Sequence, residues 1–238
     1  MDLDWLPLQL REVLNALAGA IRTREPAIRA KVEAIRAANP GFDNDRLAQK
    51  LIRDTRIRVA ATGAASGAAA IAPGLGTLLA LGAATSQALY ALEQETELVL
   101  AIAMIYGHEL SESDERVLEA LVVVGIAGGS VKLRENVLVA GGERITVAAF
   151  RALPKEWLSR AGGHVVGRIL ARVAGSRVLS TLGRVAPLAI GMAVGAGFDW
   201  IAVGALGRAA IGYYGPGGPA ARAPRLASEN GRNVELGN

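Results

Sequence analysis

A chain of 238 residues without cysteine excludes a disulfide framework and thiolate chemistry, yet it is long enough to bury a core without metal. Its formal charge of +4 rests mostly on Arg, a surplus that the codon bias of a GC-rich genome produces as readily as selection does, and with a pI of about 9.7 it is compatible with anionic lipid or nucleic acid; no basic tract with interleaved aromatics supports nucleic acid. Hydrophobic residues make up 51% and aromatics only 4%, so the apolar content is chiefly Ala, Val, Leu and Ile, high for a soluble domain.

Met1–Asp4 carries two acids before Trp5 where a secretory signal needs a basic start, so the expected location is the cytoplasm or the inner face of the cytoplasmic membrane, peripheral or partly inserted. Residues 5–37 read as two amphipathic helices, with Leu10, Val13, Leu14, Leu17 and Ile21 at helical spacing in the first. Pro26 fits an early position in the second, which carries Ile28, Val32 and Ile35 on one side, and Asn39-Pro40-Gly41 ends it. Asp43 or Asn44 caps a basic helix starting near Arg46 and carrying Lys50, Arg53, Arg56 and Arg58.

From Val59 to Leu92 there is no charged residue. That length permits a membrane span, which needs roughly 20 apolar residues. The content is Ala and Gly more than Leu and Ile, however, and Pro73, Gly74 and Gly76 interrupt it, so a helical hairpin turning at Pro73–Gly76 is the expectation. Gly63 and Gly67 stand as GxxxG, a spacing that lets helix backbones approach closely in lipid or in a soluble core. A long helix continues through Glu93, Glu95 and Glu97 to Tyr106 and ends at Gly107; Ser111 or Ser113 caps the next, over Val117–Ile126, which stops at Gly128-Gly129. The acids between 93 and 119 read as a solvated helix end.

A helix is expected over 130–140, broken at Gly141-Gly142, and Ile145–Leu153 is ambiguous between helix and strand. Residues 157–182 form an amphipathic helix whose basic face, Arg160, Arg168, Arg172 and Arg177, can rest on lipid. The second apolar stretch, Val185–Leu206, has Pro187 near its start, a second GxxxG at Gly191 and Gly195, then Gly197, and a single charge at Asp199. A carboxylate there either serves a cation- or proton-linked site or lies at a helix end with local partners. Residues 215–238 read as a disordered tail.

Motifs for chemistry fail in turn. His108 and His164 have no metal-ligand spacing; Gly74-Leu-Gly76 and Gly195-Ala-Gly197 lack the third glycine of a dinucleotide fingerprint; Ser66 lacks the glycines of a nucleophile elbow. No cofactor or metal is expected, and a hydrolase using Asp199 and His108 ranks last among the readings.

Pro187-Leu-Ala-Ile-Gly191, Gly195-Ala-Gly197-Phe-Asp-Trp-Ile-Ala-Val-Gly204 and Ala209 resemble the P-x-x-G-x-x-x-G-A-G-x-N…VG…A segment of EcsC-like proteins. Arg56–Gly76 and Ile102-Ala-Met-Ile-Tyr106-Gly107 are similar to two further elements of that family, so the resemblance covers about residues 45–214. The family usually has Asn where Asp199 stands. The resemblance implies a membrane-associated helical protein of the kind encoded beside an ABC transporter and affecting secretion, and it supplies no catalytic residues.

The expectation is an all-α bundle around two Gly/Ala-rich apolar hairpins. It comprises N-terminal amphipathic helices (1–44), an EcsC-like helical domain (45–214) and a tail (215–238). The expected function is a non-enzymatic accessory or scaffold of an envelope, transport or secretion complex, with a membrane surface, a membrane protein complex or a second copy as partner. The alternative is a soluble bundle that inserts conditionally and permeabilises membranes.

Overall fold

A computed structural model describes residues 8–69, 92–108, 115–152 and 191–223, with side chains for 15–59, 92–108, 116–152 and 200–223. The fold is all-helical apart from one small sheet. Helix α1 spans Leu8–Ala38, α2 Asn44–Ala69, α3 residues 92–105, and α4 Glu115–Ala127. Strands β1 (Lys132–Arg134), β2 (Val137–Ala140) and β3 (Glu143–Thr146) follow, then α5 (Val147–Arg151), α6 (Gly191–Tyr214) and α7 (Pro219–Arg222).

The two expected N-terminal helices are one, running through Pro26. Proline removes a backbone bond and costs about 3 kcal/mol in a helix interior. Leu17, Ile21, Ile28, Val32 and Ile35 are nevertheless all buried in the single core. Their spacing keeps one face through the proline, and burying that face offsets the local loss. Asn39 ends α1 with its side-chain amide donating to the Ile35 carbonyl, and Asp43 Oδ1 accepts from the Arg46 amide at 2.8 Å to open α2.

Of the acids expected at a solvated helix end, Glu93, Glu97 and Glu119 are instead paired and largely buried, and residues 109–114 lie outside the described residues. Glu93 and Glu97 on α3 face α1, where Arg24 reaches them at 2.8 and 3.1 Å and Lys31 reaches Glu97 at 3.5 Å. Arg36, further along α1, donates to the carbonyls of Met104 and Ile105 at the end of α3. The order of these contacts makes α1 and α3 parallel, and it sets a cation against the negative end of the α3 dipole. Gly107 at φ +83° closes α3: its amide bonds the Met104 carbonyl and the His108 amide bonds that of Ala103.

The helix expected over 130–140 is instead the first two strands of an antiparallel meander of order β1-β2-β3. Gly141 and Gly142, at φ +59° and +91°, form the two-residue turn that a tight hairpin requires. Leu138 and Ala140 alternate inward on β2 and are buried. Thr146 then caps α5, its Oγ1 accepting from the Ala149 amide at 3.1 Å.

Residues 215–223, expected in the disordered tail, form a turn and α7, with Ala220 fully buried. The turn packs Gly215 and Gly218 against the carbonyls of Ile211, Gly212 and Tyr213, where a side chain at either position would collide. The Pro73–Gly76 turn, Pro187 and the 157–182 helix lie outside the described residues.

Candidate functional site

Two constellations stand out. The first is the pair formed by α2 and α6. Gly204 faces Arg56 and Gly207 faces Ile52, so positions rise on one helix as they fall on the other: the pair is antiparallel. A Cβ at 204 would overlap the Arg56 guanidinium, and one at 207 would overlap the Ile52 side chain. Small residues are thus needed at this contact, as the sequence suggests for the GxxxG glycines. Gly63 and Gly67 lie within α2; Gly191, Gly195, Gly197 and Asp199 lie within α6.

One side of the pair joins the core through Ala48, Leu51, Leu206 and Ala210. On the other side Arg53 and Ile57 of α2, and Ile201 and Arg208 of α6, are exposed, Ile57 by 55% and Ile201 by 64%. Trp200 is exposed as well, with the Arg56 guanidinium 5.2 Å from its ring centroid. Beyond Arg58 and Asp199 the two helices carry no charge: eleven residues, 59–69, on α2 and eight, 191–198, on α6.

The second constellation is a buried charge cluster that the sequence reading missed. Glu119 on α4 is fully buried and holds Arg116 at 3.6 Å and Arg151 of α5 at 3.4 Å. Arg151 Nη1 also donates to the Ala220 carbonyl at 2.8 Å, tying α5 to α7. Tyr214 of α6 stacks edge-on with Tyr213 at 4.9 Å and lies 5.1 Å from the His108 ring, whose Nε2 is 3.2 Å from the Tyr214 carbonyl.

Burial drives the electrostatics here. It raises the Tyr214 phenol well above its ordinary value, and the Glu119 charge pushes the same way. It lowers His108 below its ordinary value against the opposing Tyr214 backbone bond, with Arg151 and Arg116 adding to the lowering. Tyr106, whose hydroxyl donates to Asp45 Oδ1 at 2.6 Å, is raised by burial and by that carboxylate. The Glu119–Arg151 pair joins α4 to α5, and the Arg151 bond to the Ala220 carbonyl joins α5 to α7.

Known proteins add no identity. The chain matches no protein-family model, no curated protein and no solved structure.

Asp199 and His108, the pair considered for a hydrolase, are not brought together. His108 meets Tyr214, which stands fifteen residues along α6 from Asp199, about 22 Å of helix. Among the described residues no group of His, Asp and Glu is placed to hold a metal ion. His164, Arg160, Arg168, Arg172 and Arg177 lie outside those residues.

Proposed function

We propose that the chain is a membrane-associated helical protein, a non-enzymatic accessory or scaffold of an envelope, transport or secretion complex at the cytoplasmic membrane. The observation that carries this reading is the α2–α6 pair. Its inner end is pinned into the core, while its outer ends are free of charge and have Ile57, Trp200 and Ile201 exposed at their base. Exposed large apolar groups gathered at one place favour an apolar partner. No described helix is long and apolar enough to cross a membrane, so the reading is one of contact by these helices, not of crossing.

The resemblance of residues 45–214 to EcsC-like proteins supports the same reading and the link to a transport complex. The internal ion pairs suit a scaffold, because they join helices and face one another. Expressing the full chain and fractionating cells tests the proposal. Recovery with the membrane pellet, retained after a low-salt wash, is expected; recovery wholly in the soluble fraction would overturn it.

A further inference from the structure

The exposed side of the α2–α6 pair is graded along its length. Arg53 and Arg208 come first, at the level where Gly207 meets Ile52. Ile57 follows four residues beyond Arg53, about 6 Å on, and Ile201 lies seven residues from Arg208, about 10 Å on. Trp200, with Arg56 over its ring, stands at the same height. Arg58 and Asp199 are the last charges, and only uncharged helix follows.

Cation, then amphipathic aromatic and aliphatic, then uncharged segment is the order that a bilayer imposes from headgroup to acyl chain. Charge complementarity names the occupant: Arg53 and Arg208 are exposed and have no carboxylate partner among the residues whose side chains are described, whereas Lys50 beside them is paired with Asp54. A guanidinium left in this way matches a phosphate diester in charge and hydrogen-bonding geometry.

We propose that Arg53 and Arg208, with Ile57, Trp200 and Ile201, form an interfacial belt that binds the headgroups of an anionic leaflet. The proposal rests on the membrane reading above and adds the lipid class and the face. Arg56 lies between the helices and points the Trp200 ring; Arg53 and Arg208 are the outward contacts.

The test uses the full chain carrying W5F and W157F, so that Trp200 alone emits. It is mixed with phosphatidylcholine vesicles, with or without a quarter phosphatidylglycerol, containing lipids brominated near the headgroup or near the acyl terminus. The expected result is a blue shift with phosphatidylglycerol present and stronger quenching by the shallow bromines. R53Q and R208Q, at exposed sites that leave the fold unchanged by circular dichroism, should each weaken partition about fivefold on anionic vesicles and not on neutral ones. Binding that is equal on neutral and anionic vesicles, or binding with Trp200 unquenched, would overturn the belt and leave membrane association standing. No binding to either vesicle would overturn both.

Discussion

Replacing Glu119 by Gln keeps the side chain's shape and removes its charge. In the fold that carboxylate is fully buried between Arg116 and Arg151, whose side chains are 11% and 2% exposed. Arg151 has no route to water and would be left as an uncompensated buried cation. Breaking a buried pair from one side costs about 3–5 kcal/mol. At about 2–4 °C per kcal/mol for a chain of this size, E119Q should melt about 6–20 °C below wild type in differential scanning fluorimetry or calorimetry. The double variant E119L/R151M removes both charges and should melt above E119Q, because the penalty is the orphaned charge and not the missing bridge. An E119Q protein melting within about 2 °C of wild type would refute this account of the cluster.

Three further outcomes are expected. Gly207→Ala should destabilise by about 1–3 kcal/mol because Ile52 occupies the space of the new methyl, whereas Gly19→Ala, with open space on α1, should stabilise by up to about 1 kcal/mol; denaturant midpoints read both. His108 titrates below its ordinary value in the fold, so the unfolded chain takes up that proton first as pH falls, and stability is lost below about pH 6.5. Wild type should therefore lose more melting temperature between pH 7.5 and 5.5 than H108Q does; equal losses would contradict the burial of that imidazole. Arg36→Met should cost about 1.5–3 kcal/mol by freeing two carbonyls at the end of α3, with faster hydrogen exchange at α1 as the second readout.

The helices were legible wherever caps and periodicity agreed. Asp43 before α2, Gly107 after α3 and Gly128-Gly129 after α4 act as the residue types demand. Pro26 misled because it is a local helix breaker, whereas the apolar register passes through it unbroken from Leu17 to Ile35. The meander misled for the opposite reason: Val137–Ala140 is short and apolar, a pattern helix and strand share, and Gly141-Gly142 stops a helix as readily as it turns a hairpin. Glu119 carried a usable signal. It sits inside Val117–Val124, apolar on every side, where a charge has to find a partner. That partner, Arg151, is delivered by the meander and α5, so it could be found only with the sheet in place. The small-residue argument pointed to the GxxxG glycines, whereas the close contacts described fall at Gly204 and Gly207, and their partners Arg56 and Ile52 required the antiparallel register.

The central claim is that the α2–α6 pair meets a membrane. Half-burying Ile57, Trp200 and Ile201 in lipid contributes about 1 kcal/mol each, and Arg53 and Arg208 near an anionic surface about as much again apiece. About 5 kcal/mol in all corresponds to a partition advantage of roughly a thousandfold or more. Flotation of the purified full chain through a density gradient with phosphatidylglycerol-containing vesicles measures it directly. The chain should rise with the vesicles at low salt, and the I57S/I201S variant should stay largely at the bottom. A wild-type chain that remains at the bottom as a folded monomer would contradict the account.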